Sequence, residues 1–256
     1  MEIHKPKPIH NWREFLKEYA IIVIGVLTAL AAEQAAEVVH WHYRVRDALN
    51  AVRLEVRDDD GPQAYTRAAA MACFDKQLDS IQNAIEVDRN RADITALIAR
   101  YDPPSRTWDA NAWDSMLASG VASHVPPDEM IQWGMMYAGI PVAQAATARE
   151  RTDVAALRPI RLNGDRLSTT EADTILGAVS RLRAVNRTFG EGSGYYVRRM
   201  EENGIIIPQE QKNRILADLR SLYGDCVVVP STARLDLDDQ LDETRRAMTP
   251  VKPKQP

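Results

Sequence analysis

The feature that most constrains this chain is an apolar segment near its N-terminus, Ala20–Ala32, in which Thr28 is the one polar side chain. This segment alone is shorter than the roughly 20 residues that a membrane-spanning helix needs. Its flanks complete it, because Trp12 and Trp41 favour the headgroup level of a bilayer and are roughly 43 Å apart along a helix. That length matches a bilayer with its interfacial regions. The segment therefore predicts one transmembrane helix at residues 15–41.

A cleavable signal peptide is the alternative interpretation of the same segment. Ala29–Ala31 is a small-x-small cleavage pattern that follows an apolar stretch of suitable length. However, the helical pattern continues past Trp41, and the residues before the apolar stretch include Glu14 and Glu18, unlike a compact basic leader. We favour an uncleaved anchor, and a secreted soluble protein after cleavage stays the alternative.

The orientation of the anchor follows less directly, because basic residues lie on both of its sides. They are Lys5, Lys7, Arg13 and Lys17 before it and Arg44, Arg46, Arg53 and Arg57 after it. A short N-terminal tail before one apolar helix and a large C-terminal domain is the pattern of a signal anchor. We therefore expect a bacterial inner-membrane protein with its N-terminus in the cytoplasm and its C-terminal domain in the periplasm.

Acidic residues lie at the C-terminal edge of the apolar segment. Glu33 and Glu37 are four residues apart, on one face of the predicted helix. Either the hydrocarbon ends near Ala32 and these acids are solvated, or they form a polar stripe that meets another membrane helix. Gly25 and Ala29, also four apart, would permit the close helix approach that the second interpretation needs. We favour the first interpretation.

One stretch of the chain resembles a known group of proteins. Residues 11–41, NWREFLKEYAIIVIGVLTALAAEQAAEVVHW, are similar to the N-terminus of a group of uncharacterised bacterial proteins that have one membrane helix and a helical extracytoplasmic domain. A weaker similarity covers Trp113–Val125, WDSMLASGVASHV, and Tyr137. The resemblance implies architecture and topology. It implies no catalytic residues, because the group carries no established activity.

The composition is that of one globular domain attached to an anchor. Of 256 residues, 45% are hydrophobic and 27% are charged, which is enough for one core. We expect a tail at 1–14, the membrane helix at 15–41, a helical extracytoplasmic domain at 42–248 and a disordered tail at 249–256. The net charge of -4 argues against a nucleic-acid partner, because phosphate binding needs a concentrated basic face.

The chain has two cysteines, Cys73 and Cys226. In the periplasm we expect such a pair to oxidise, and the bridge would close a loop of about 150 residues. Two unpaired core cysteines are the alternative, because the sequence does not show whether the two thiols are close in space. Neither cysteine lies in a Cys-x-x-Cys or Cys/His cluster, so redox catalysis and zinc binding are not supported.

An apolar repeat follows the membrane segment. Val38, Val45 and Val52 recur every seven residues, so the membrane helix is predicted to continue outward as a stalk. Asp58–Pro62, with the sequence Asp-Asp-Asp-Gly-Pro, predicts the end of the stalk. A second long helix, ending before Pro103, should then pack antiparallel to it. The valine repeat is also a surface through which two copies of the chain could form a homodimer.

Further helices and one ribbon are predicted downstream. The helices lie at Trp108–Ser119, at Pro126–Leu157 with a kink at Pro141, from the capping box of Ser168 and Glu171 to Asn203 with an interruption at Gly190–Gly194, and at Gln209–Tyr223. Ile205–Pro208 and Val227–Pro230 have strand-like composition and are candidates for a minimal two-stranded ribbon. The predicted fold class is all-α, with a transmembrane helix that continues into a helical bundle.

Motifs that would carry chemistry are weak throughout. Glu37 and His40 have the Glu-x-x-His spacing of di-iron bundles, but the chain lacks a second such motif. Gly190–Gly194 lacks the strand and the Gly-Lys-Ser/Thr of a phosphate loop, and the acids of Asp236–Glu243 lack the glycine of a calcium loop. We therefore assign no catalytic, cofactor-binding or metal-ligating residue.

These patterns favour a protein that acts by binding. We expect an accessory, scaffold or sensory subunit held in the bilayer, with a membrane-protein partner or a second copy as its binding partner. The alternative is a periplasmic enzyme or small-ligand sensor, with a polar pocket between Trp108 and Tyr137 that includes His124.

Overall fold

The computed structural model describes residues 12–104, 107–158 and 164–230. This part of the chain is helical and contains no sheet, which confirms the all-α prediction. Its α-helices are α1 (Trp12–Glu55), α2 (Gly61–Val87), α3 (Arg91–Arg100), α4 (Asn111–Ala118), α5 (Pro127–Tyr137), α6 (Ile140–Leu157), α7 (Thr169–Glu202) and α8 (Gln209–Tyr223). Short 3₁₀ turns lie at Val121–His124 and Gly224–Cys226.

The predicted membrane segment, the predicted stalk and the second helix form one continuous helix. A π turn at Val56–Asp60 joins α1 to α2, and the backbone stays in the right-handed helical region through Glu55, Asp60 and Gly61. Phe15–Val87 therefore spans 73 residues, or about 110 Å at 1.5 Å per residue. The prediction that the stalk helix ends at residues 58–62 and that the second helix packs antiparallel to it is wrong.

The π turn explains why the proline does not end this helix. The Gly61 N–H donates to the Val56 carbonyl five residues back, instead of four. Pro62 lies directly after this wider turn, where the missing N–H and the proline ring disturb the hydrogen-bond ladder least. A close contact also requires the preceding glycine, because a Cβ at Gly61 would overlap the Met200 side chain.

The core is built around α2. Helix α7 packs along α2, α6 packs on α7, and α8 packs on α2. The fully buried side chains at the centre come from α2 and α7 and include Phe74, Leu78, Ile81, Ile175, Leu182 and Met200. The end of α1 joins the same core, since Leu49, Val52 and Val56 are buried and α1 contacts α4 and the first 3₁₀ turn.

The glycine cluster does not interrupt its helix. Helix α7 runs unbroken from Thr169 to Glu202, so the predicted break at Gly190–Gly194 is wrong. Gly190 is buried, and a Cβ there would overlap the Met71 side chain of α2. This glycine therefore permits close packing of two helices and does not mark a hinge.

Two other helix boundaries differ from the prediction. Helix α2 ends at Val87, and the Asn90 side chain accepts hydrogen bonds from the first turn of a separate helix, α3. Pro141 lies in the first turn of α6 after a break at Gly139, where a kink within one helix was predicted. The capping box of Ser168 with Glu171 and the helix at Gln209–Tyr223 are confirmed.

The predicted ribbon does not form. The Val228 N–H donates to the Ala69 carbonyl of α2, and the Ile205 N–H donates to the Met200 carbonyl at the end of α7. Within the described residues, the one β-bridge pairs Asn90 with Arg166. The tails predicted at 1–14 and 249–256 lie, except for residues 12–14, outside the described residues, as do the acids of Asp236–Glu243.

Candidate functional site

The apolar part of α1 is left uncovered by the rest of the described chain. In the described part of the protein, one helix is long and apolar enough to cross a membrane, with a mean hydropathy of 1.9 over its most apolar 18 residues, none of which is buried. Ile21, Ile24 and Leu27 each expose 60% or more of their surface. Such a surface needs an apolar environment, which a bilayer or another protein supplies.

The residues predicted to contact another membrane helix all lie exposed on α1. They are Gly25, Ala29, Glu33 and Glu37. Apart from the backbone of α1 itself, no atom of the described residues lies within 4 Å of the position that a Cβ at Gly25 would take. The Glu37 carboxylate accepts a hydrogen bond from the indole N–H of Trp41 at 3.4 Å. This face of the helix is therefore free of contacts that would block a partner at Gly25.

A groove lies where α1 meets the helical domain. It has a volume of about 780 Å³ between α1 and the segment from the first 3₁₀ turn to the start of α5. The rings of Trp41 and His124 stack in it with centroids 3.7 Å apart, and Arg53 donates to Glu129 at 3.1 Å. His124 therefore lies against α1. It does not line a pocket with Trp108, although the sequence had predicted that it would.

A second cavity is a half-open pocket at the surface of the helical domain. It has a volume of about 270 Å³ between α5, α6 and α7. Trp108 forms part of its wall, near the expected place, but the lining is apolar where a polar pocket was expected. The lining residues are Trp108, Met135, Met136, Gly139, Ile140, Val142, Ala143, Ala146, Thr188, Phe189, Gly192, Ser193, Tyr195, Tyr196 and Arg199.

Two buried acids lie at the π turn. The Glu55 carboxylate accepts from the Tyr137 hydroxyl at 2.7 Å and from the Ala112 N–H at 2.8 Å. Asp60, which is fully buried, accepts from the Tyr196 hydroxyl at 3.4 Å. Tyr196 also lines the 270 Å³ cavity, so one side chain contacts both the cavity and the long helix.

The environment of Asp60 makes it titrate near neutral pH. Burial and, to a smaller extent, the negative charge of Glu55 together raise the pKa of its carboxyl group to about 7, although a hydrogen bond from the Asp109 backbone opposes the shift. Burial also raises the pKa of Tyr137 and of Tyr196. The cluster can therefore gain or lose a proton in the physiological range, at the point where α1 continues into α2.

A third buried polar group joins three helices. The Arg67 guanidinium of α2 donates to Glu150 of α6 at 2.6 Å and to Asn186 of α7 at 3.2 Å. It also lies over the rings of Phe74 and Phe189, 4.9 and 5.0 Å from their centroids. Because Arg67 and Glu150 are nearly fully buried, this network is structural.

These buried residues carried no recognisable sequence signal. Asp60 belongs to the run of three aspartates that was interpreted as a helix stop, and the partners of Arg67 are 83 and 119 residues away in the chain. Such long-range pairs form no local motif. A single sequence therefore gave no means of pairing Asp60 with Tyr196.

The two cysteines meet between α2 and the C-terminal end of the described chain. Cys73 and Cys226 form a disulfide with their Cα atoms 5.0 Å apart, across a separation of 153 residues. Cys73 is buried in the core and Cys226 lies in the last 3₁₀ turn. The bridge ties the segment after α8 to the middle of α2. The sequence had predicted α2 as one arm of a helical hairpin.

Metal chemistry gains no geometric support from the described residues. No group of three or more histidine, cysteine or acidic side chains in them could hold a metal ion, and Glu37 and His40 are both exposed on α1.

The comparisons with known proteins found no relative: no family model, no curated protein and no solved structure matches the chain.

Proposed function

We propose that this chain is a single-pass membrane protein whose helical domain acts by binding, as an accessory, scaffold or sensory subunit. The observation that carries the proposal is the continuous helix Phe15–Val87, whose first part is apolar and uncovered and whose last part is the centre of the core. Such a helix couples the position of the anchor to the domain without an intervening loop.

The proposed location is a bacterial inner membrane with the domain in the periplasm. The Cys73–Cys226 disulfide supports it, because disulfides persist in oxidising compartments. A cysteine introduced at Leu222, which is 74% exposed on α8, tests the orientation. We expect a membrane-impermeant maleimide to label Leu222→Cys in intact spheroplasts and to label Lys5→Cys only after lysis. The reverse pattern would contradict the orientation.

The proposed partner is another membrane protein that contacts the face of α1 carrying Glu33 and Glu37. A homodimer through the valine repeat is the other form of this proposal, but Val52 is already buried in the chain's own core. The surface left for such a dimer is Val38, which is 68% exposed, and the partly exposed Val45.

Co-purification in mild detergent tests the partner proposal. We expect a membrane protein to be retained by the wild-type chain and lost on Glu33→Ala with Glu37→Ala. Glu210→Ala with Asp218→Ala, two exposed acids on α8, is the matched control and should retain the partner. Retention by both double variants, or purification of the wild type as a lone monomer, would contradict the proposal.

A small-ligand sensor is the second candidate function, and the 270 Å³ cavity favours it. For an enzyme and a sensor alike, the sequence predicts a polar pocket with acids of shifted pKa, whereas this cavity is lined mainly by apolar side chains. Here the acid with the raised pKa, Asp60, lies behind Tyr196 and is fully buried. A sensor needs a binding cavity and a connection from it to the anchor. Tyr196 provides both contacts, because it lines the cavity and its hydroxyl donates to Asp60 in the long helix.

A further inference from the structure

The 270 Å³ cavity has an aromatic floor. Trp108 and Phe189 are stacked with centroids 6.0 Å apart and an interplanar angle of 27°, and Tyr196 meets Trp108 edge to face at 6.2 Å. Trp108 and Phe189 expose less than a tenth of their surface. A floor of fixed ring faces and edges suits a flat apolar molecule, because aromatic pairs favour offset-stacked and edge-to-face contacts.

The size of the cavity limits what it can hold. An apolar cavity of about 150 Å³ stays dry and takes up benzene. At about 270 Å³, this cavity has room for roughly two fused rings and is too small for most drug-sized ligands. Met135 and Met136 lie in its wall, and methionine side chains adapt readily to an irregular ligand.

Gly192 lies at the exposed rim of the cavity. It lies in the middle of α7, where a glycine costs about 1 kcal/mol relative to alanine. Gly190, two residues earlier, has a packing reason, because a Cβ there would overlap Met71. Gly192 has none, since apart from its own helix no described atom lies within 4 Å of the position of its missing Cβ, and it lines the cavity. A larger side chain at Gly192 therefore has room to extend from the rim over the cavity.

We propose that this cavity binds a small planar apolar molecule of about two fused rings. The proposal rests on the sensor candidate above and names its ligand class, and the binding itself needs neither the anchor nor a protein partner. The ligand rests on Tyr196, whose hydroxyl donates to Asp60 in the π turn of the long helix. Occupancy therefore acts on a side chain that contacts the helix leading to the membrane.

The test uses the full chain in lipid nanodiscs with 5-fluoroindole as the probe, followed by ¹⁹F NMR. We expect saturable binding to the wild type and at least a tenfold loss of affinity in Gly192→Leu. The leucine side chain extends from the rim of the cavity and occupies space that the probe needs. Gly194→Leu is the matched control, because Gly194 lies on the same helix, also has open space at its Cβ position and does not line the cavity. Partition of the probe into lipid is common to all samples.

Equal affinity in the wild type and Gly192→Leu would overturn the proposal, as would the absence of saturable binding to the wild type. Circular dichroism shows whether each variant is folded. If Gly192→Leu does not fold, Gly192→Ala is compared with Gly194→Ala, since one methyl group enters the same space. Equal binding by these two alanine variants would then overturn the proposal.

Discussion

At the scale of single residues, neighbouring positions of one type have different roles. Gly190 lets α7 approach Met71, whereas Gly192 borders an open cavity. Asp60 is fully buried, whereas Asp59 beside it is exposed. Composition and spacing do not distinguish the members of these pairs. What distinguishes them is the element that packs over each position.

Gly190 and Gly194, both in α7, should respond in opposite directions to alanine. Gly190→Ala gains about 1 kcal/mol of helix propensity but places a methyl group against Met71, and overpacking of this kind costs about 1–3 kcal/mol. We expect a lower melting temperature for Gly190→Ala and a higher one for Gly194→Ala, measured by circular dichroism. A higher melting temperature for both would show that Met71 moves aside at no cost.

Asp60 should make stability depend on pH. Its pKa rises from 3.8 in the unfolded chain to about 7 in the folded protein, so between these values the folded state binds more protons. Stability should therefore fall as the pH rises from 4 to 7 and change little above it. The full difference is about 4 kcal/mol.

Asp60→Asn should remove most of this pH dependence and stabilise the protein at pH 8. The asparagine still offers an oxygen to the Tyr196 hydroxyl and carries no charge to bury. Denaturant unfolding from pH 4 to 8 measures the effect. Asp59→Asn, at an exposed neighbouring position, is the control and should keep the wild-type slope. An unchanged slope in Asp60→Asn would refute the assignment.

At the scale of elements, local signals predicted the caps and ends that depend on local chemistry. The capping box at Ser168 and the helix Gln209–Tyr223 follow from residues within one turn. The continuity of α1 with α2 was missed, because a proline after three aspartates normally ends a helix. Here a π turn lets the helix continue past Pro62. The close packing of Met200 against Gly61, 139 positions earlier in the chain, accompanies this continuation.

The Arg67 network should be the most sensitive link between elements. Arg67→Ala leaves the buried Glu150 carboxylate without its partner, and the loss of one member of a buried pair costs about 3–5 kcal/mol. Arg183→Ala, which removes a partly exposed pair with Asp79, should cost less than about 1 kcal/mol. Urea unfolding compares the two variants. Similar losses would mean that Glu150 finds another partner or becomes protonated.

At the scale of the whole molecule, one helix joins the proposed anchor to the core and one disulfide joins the core to the end of the described chain. The loop between Cys73 and Cys226 includes α3 to α8, so the bridge constrains most of the domain. This arrangement places the proposed membrane face, the π turn with Asp60 and the ligand cavity on one connected path.

Reduction of the disulfide should destabilise the domain as a whole. Closing a loop of 153 residues is worth on the order of 5 kcal/mol in the chain-entropy model, which sets an upper value. We expect Cys73→Ala with Cys226→Ala to lower the melting temperature to the value of the reduced wild type, as measured by calorimetry. If the wild type does not respond to reductant and the double variant melts unchanged, the bridge contributes nothing.

The sequence by itself determined the all-α class, the apolar N-terminal helix and the caps, because each depends on residues close together in the chain. The tertiary structure alone decided that the apolar N-terminal helix continues into the core helix, which glycines permit close packing, and which acids are buried with tyrosines. These features depend on contacts between residues tens to more than a hundred positions apart. Hydrophobic periodicity shows that a face is buried, but not against what.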